Sequence, residues 1–250
     1  IYNFLVISDV QGGLQSLAAI LSTVIIFLVI VWAQSLKIEI PLSYDRLRGY
    51  NVKWPLAFFY ASVIPVILVG ALIANLQLFG GLLQNWLGRP TFLGEYVNGQ
   101  AVSGLGYWLG SSNILRLAIE GGLNGQLFIQ ALVHIIVFAI FAAIFSIFWV
   151  KTSGMDARSQ AKNILNSGLQ IPGFRKDERI LESILSRYVM PLTVMGGLAI
   201  GLLAAVSDVL GTITGGTALL LGIMIMFQFY QNIAQQHAVD MHPSLRNFMS

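Results

Sequence analysis

The chain has 250 residues, of which 56% are hydrophobic and only 10% charged, far below the roughly 25% charged usual in soluble domains. With a mean hydropathy of +0.75 it lacks the polar surface to face water on every side, so part of its solvent is lipid. It has no cysteine, which excludes disulfide frameworks and thiolate chemistry, and its net charge of +3 matters through its placement.

Ile1 stands where a methionine would begin a chain, so the sequence reads as a piece of a longer one. Residues 1–13 form a lead-in with no basic region before the first apolar run, which speaks against a secretory signal peptide. Five long stretches then lack acids and bases: between Asp9 and Lys37, Lys53 and Arg89, Glu120 and Lys151, Tyr188 and Ser207, and Val209 and Val239. Each supplies the roughly 20 apolar residues needed to cross about 30 Å of hydrocarbon. Helix is the open choice there, because unpaired backbone groups in lipid cost several kcal/mol each. The reading is therefore an all-α, polytopic membrane protein with spans at 14–36, 56–79, 124–149, 189–207 and 214–235.

The connections differ in charge. Residues 37–55 carry Lys37, Arg46, Arg48 and Lys53, and residues 150–188 carry Lys151, Arg158, Lys162, Arg175, Lys176, Arg179 and Arg187. The glycine-rich 80–123 segment has only Arg89 and Arg116, and the tail, 236–250, has Arg246. Twelve of the 14 basic residues thus fall on one side. The positive-inside rule places 37–55, 150–188 and the C-terminus in the cytoplasm, with the lead-in and 80–123 outside.

Within the spans, chemistry is sparse. Metal spacing such as HExxH, a phosphate-binding glycine loop and a GxSxG elbow are absent, and Asp208 sits at a turn, so neither a metal site, an enzyme nor an ion-coupled transporter is expected. His134 lies inside the third span; with no acid beside it in sequence, it reads as a neutral ring hydrogen-bonded at a helix interface. Gly197 with Gly201 and Gly211 with Gly215 have the spacing of close helix packing. Pro65 should kink the second span. Asn75 and Gln77 give that span a polar face near its outer end, which suits a hydrated cleft and equally a bond to a neighbouring helix. Ile180, Leu181, Ile184 and Leu185 recur at helical spacing among charges and suggest an amphipathic helix in the 150–188 loop. The two basic loops suit acidic lipid headgroups or nucleic-acid phosphate.

Seven blocks in order resemble the archaeal SecY family of protein-conducting channels: IEIPLSYDRLRG (38–49), VIPVIL (63–68), ALIANLQ (71–77), SGMDARSQAKNI (153–164), IPGFRKDER (171–179), RYVMPLTVMGG (187–197) and GTITGGTALLL (211–221). They correspond to helices six to ten of that ten-helix family. The resemblance implies a channel that passes nascent or secretory polypeptides and releases transmembrane segments sideways into lipid. It makes Ile67 and Leu221 members of an aliphatic pore ring and Asn75 a lateral-gate residue. It makes Arg46, Arg48 and Arg175, with Lys176 and Lys53 as weaker contributors, the seat of a translating ribosome, through its RNA and proteins. It further implies SecE and Sec-beta subunits, the N-terminal half of the same channel, signal sequences and membrane lipids as partners, and no cofactor. The 80–123 loop departs from the family and offers no site. The competing reading is one inverted-repeat half of a secondary transporter, for which intramembrane acids are missing.

Overall fold

The computed structural model describes residues 10–44, 51–97, 99–170 and 177–241, with only the backbone described at 41–44, 51–53, 169–170 and 235–241. Helix α1 spans Val10–Ser35, α2 Ile64–Leu87, the short α3 Gly104–Leu109 and α4 Ile114–Ile119, α5 Gly125–Thr152, α6 Ala157–Asn166, α7 Glu178–Val209 and α8 Gly216–Met241. Five of these, α1, α2, α5, α7 and α8, are long and apolar enough to cross a membrane. At 1.5 Å per residue the shortest, α2, covers about 36 Å. The chain is a multi-pass membrane protein.

Two expectations shift in detail. The second span begins at Ile64 rather than 56, because β1 (Lys37–Tyr44) and β2 (Asn51–Ala57) pair as an antiparallel hairpin in register Lys37↔Ala57 to Ser43↔Asn51. Alternation drives this: along β2, Trp54 and Leu56 turn inward while Pro55 and Ala57 are exposed, and Ile40, the cross-strand partner of Trp54, is buried on that same face. Pro65 accordingly occupies the first turn of α2, where its missing N–H is harmless, and does not kink the span. The helix that carries the fourth span begins at Glu178, eleven residues before 189. The expected amphipathic helix is the first part of α7, with Leu181 and Leu185 buried and Asp177 Oδ1 accepting from Arg179 N at 2.9 Å as its cap.

The basic connections are folded together. Strand β5 (Leu169–Gln170) joins β1 through Ser43↔Gln170 and Tyr44↔Leu169, giving sheet order β2-β1-β5. Beneath that sheet a compact cluster gathers Ile40, Leu56, Tyr60, Ala161, Ile164, Leu181 and Leu185. A second and larger core unites the spans through Ile30 of α1, Val66 and Val69 of α2, Ala142 of α5, Ile200 and Ala204 of α7 and Leu220 of α8.

The α5–α7 pair is the most extensive helix interface. Small residues set it: a methyl on Gly201 would lie 2.9 Å from Ala139 Cα, and one on Gly197 3.0 Å from Ala143 Cα. Gly197 and Gly201 therefore do what their spacing suggested. Gly211 and Gly215 do not, since both are turn residues at φ 63° and 70°, where a glycine adopts the left-handed conformation without a Cβ penalty. In that turn Asp208 Oδ1 accepts from Gly216 N at 2.6 Å and starts α8. Short strands β3 (Tyr96–Val97) and β4 (Gln100–Ala101) complete the opposite end of the molecule.

Candidate pore-facing helices and basic loops

Helices α2 and α8 run antiparallel. The middle of α8, at Met224, Phe227 and Gln228, lies beside Phe59 and Ser62, just before α2 starts. The two helices meet at Gly70, where an added Cβ would stand 3.5 Å from Thr217 Oγ1. From that crossing, Ile67 is one turn back along α2 and Leu221 one turn forward along α8. Both steps lead toward the hairpin end, so the two side chains sit level on adjoining helices.

Burial separates them from the core. Val66 and Val69 are fully buried and Leu220 is 1% exposed, whereas Ile67 is 37% and Leu221 40% exposed. The crossing thus turns one set of aliphatic groups into the molecule and leaves Ile67 and Leu221 on an open face. Two turns further along that face of α2, Asn75 is exposed, and its Nδ2 donates to Ala71 O at 2.8 Å. Satisfying itself within the helix is how an amide persists on an otherwise apolar surface. Asn75 and Gln77, read together in the sequence, part company here: Gln77 is half-buried and its Nε2 approaches the Gly110 segment.

His134 is buried, and its Nδ1 pairs with Leu109 O at 2.7 Å. One turn earlier, Gln130 Nε2 donates to Tyr107 O at 2.7 Å. Together they clamp the α3 segment onto α5, in line with the helix-interface role expected for His134.

Of the basic residues, Arg46, Arg48, Arg175 and Lys176 lie outside the described residues, and Lys53 is described by its backbone in β2, opposite Pro41. What is described is their support. Tyr60 Oη donates to Met155 O at 2.5 Å, pinning the end of the hairpin to the α5–α6 corner. Burial, with the Asp156 carboxylate adding to it, pushes the Tyr60 hydroxyl up to about 12. Asp156 Oδ2 caps α6 by accepting from Ser159 N, and Arg158 pairs with Glu178 at 3.8 Å across to α7.

Known proteins agree with this architecture. Residues 1–230 match the SecY family. The protein translocase subunit SecY of Haloferax volcanii is 41% identical over 96% of this chain and 51% of its own length. That of Methanocaldococcus jannaschii is 38% identical over 97% of this chain and 54% of its own. The chain therefore spans about half the length of the curated relatives it matches. A solved protein-conducting channel superposes with a TM-score of 0.74 at 36% identity, over 97% of this chain and 55% of that one. Sec61 in the canine ribosome–channel complex from the endoplasmic reticulum gives 0.68 at 36% identity, over the same shares. With its five spans, its ordered sequence blocks and this match over most of its length, the chain belongs to the SecY family.

Proposed function

We propose that this chain forms one half of a protein-conducting channel, with the region its relatives carry beyond it supplying the other half. The observation that carries the reading is the α2–α8 crossing at Gly70 and Thr217, which leaves Ile67 and Leu221 level on an open face. A ring of branched alkyl side chains at a constriction closes by dewetting and spreads around a polypeptide without offering it hydrogen bonds. Asn75, exposed on the same helix, serves a lateral gate: an amide there bonds across a closed seam and makes the groove less attractive to weakly apolar segments. Family membership does not favour the transporter alternative.

The distribution of basic residues supports an orientation with both basic loops and the C-terminus in the cytoplasm. There Arg46, Arg48 and Arg175, helped by Lys53 and Lys176, present guanidinium and ammonium groups to ribosomal RNA phosphate and to carboxylates of ribosomal proteins. The similar structure of Sec61 in a ribosome–channel complex supports that partner. Single-span SecE and peripheral Sec-beta subunits complete the assembly in this reading, and the ribosome supplies the driving force.

The test is electrical. Replacing Ile67 and Leu221 together by serine in the assembled channel should raise resting ion conductance across a planar bilayer by about an order of magnitude, as the constriction hydrates. Unchanged conductance removes both residues from the ring.

A further inference from the structure

A cleft of about 380 Å³ opens at the hairpin end, where α1 finishes, the hairpin closes, α2 begins and α8 passes. Its polar lining is Gln34, Lys37, Ser62, Gln228 and Gln231, with Phe59 and Phe227 among the apolar walls. Two features mark it as built for an occupant. Gln34 is only 7% exposed, yet neither its Nε2 nor its Oε1 finds a partner in the protein. A buried amide left unpaired is destabilising, and such groups in native folds call for an explanation. Ser62, on the same cleft, holds φ at 64°, the one non-glycine residue with positive φ among the described residues. Strain of this kind concentrates where function requires it.

The chemistry narrows the occupant. Three side-chain amides and a hydroxyl face the cleft, with a single ammonium and no carboxylate. Each amide pairs one acceptor with N–H donors, the complement of a peptide group. Neutral amides impose no charge or side-chain requirement, so they suit a ligand whose constant feature is its main chain. Main-chain hydrogen bonds are also what gives affinity when an extended peptide adds to a sheet edge. Position agrees, because Gln228 lies seven residues beyond Leu221 on nearly the same face of α8, about 10 Å away along the helix axis.

We propose that this cleft holds the main chain of an extended polypeptide by hydrogen bonds to Gln34, Gln228 and Gln231, two helical turns from the Ile67–Leu221 constriction. The proposal rests on the channel reading and adds to it a fixed holding point for the entering chain, ahead of the ring. Ser62 keeps the backbone turned away so that the cleft stays open.

The experiment places a benzoylphenylalanine photoprobe at position 227, an aromatic wall of the cleft, or, separately, at position 221 in the assembled channel carrying a stalled, signal-bearing nascent chain, so that all three holding amides are kept. Cargo adducts are expected from both positions. Gln34→Leu should lower the adduct yield from position 227 by about fivefold, the effect of one missing hydrogen bond, and leave the yield from 221 within about twofold. Because Gln34→Leu removes an unpaired buried amide, it should also raise the Tm of the resting channel, so that a weaker hold on cargo is told apart from a failure to fold. Cargo adducts at 221 but none at 227, lipid adducts alone at 227, or a yield at 227 indifferent to Gln34→Leu each overturn the cleft proposal and leave the channel reading standing. A lowered Tm also overturns it, since Gln34 is then paired within the assembly. No cargo adduct at either position overturns the channel reading and the cleft with it.

Discussion

The Tyr60 hydroxyl reaches across a chain separation of 95 residues to the Met155 carbonyl, and so couples the hairpin to the corner that leads into the second basic connection. Removing it leaves that carbonyl without its donor. Tyr60→Phe should therefore cost about 1 to 2 kcal/mol, read as a lower unfolding midpoint in detergent. The sign of its pH dependence follows from the raised hydroxyl: folding favours the protonated phenol. Its contribution is complete below pH 10, the ordinary tyrosine value, and is lost as pH rises through about 12. A Tyr60→Phe protein should lose that part of the alkaline sensitivity; an identical pH profile for the two proteins would show that the phenol bond contributes nothing. Residues of this kind are hard to read from sequence, since Tyr60 lies in an uncharged run (54–88) that hydropathy assigns to a span.

The same limit applies to whole elements. The five spans were legible because the absence of charge over some 20 residues has one physical solution in lipid. The hairpin was not, although Lys37-Ile38-Glu39-Ile40 alternates plainly, because Pro41 and Pro55 interrupt the pattern and the flanking charge reads as loop. Once it forms, α2 must start later than hydropathy alone places it, while α7 starts earlier because its charged first turns bury Leu181 and Leu185 on one face. Ile67 and Leu221 stood out only through family resemblance, since an aliphatic residue facing a pore has the composition of one facing a core. Gln34 gave no signal at all: an amide near a span end looks like an ordinary interfacial flank. Small-residue spacing was legible, and its energetic meaning is testable. Gly201→Leu should force α5 and α7 apart, since even a bare Cβ comes within 2.5 Å of Ala142 Cβ. A loss of about 1 to 3 kcal/mol is expected for overpacking of this sort. The check is the unfolding midpoint beside that of Gly222→Leu, whose surroundings are open; equal midpoints for the two variants would refute the packing role.

At the scale of the molecule, two surfaces with different solvents are held by one scaffold. Apolar side chains such as Leu28, Trp32, Ile140 and Phe229 cover the spans, while the β2-β1-β5 sheet ties the two basic connections into a single platform at one end. For the proposed ribosome contact, a sheet that ties β1 and β2 to β5 means that part of the ordering entropy is met in folding rather than at the partner. Replacing Arg46, Arg48 and Arg175 with glutamate should therefore weaken ribosome binding to the assembled channel and flatten its dependence on salt. For every phosphate no longer neutralised, the slope of log K against log salt should fall in magnitude by about 0.7 to 0.9. Breaking the platform alone gives a second signature. Disrupting the β5 pairing by a proline at Leu169 leaves every arginine in place, so it should reduce affinity while leaving the salt slope near its original value. If the glutamate variant binds with unchanged affinity and slope, the basic loops set membrane orientation and do no more. If the proline variant changes slope as the glutamate variant does, the sheet itself touches phosphate and is more than a support for the arginines.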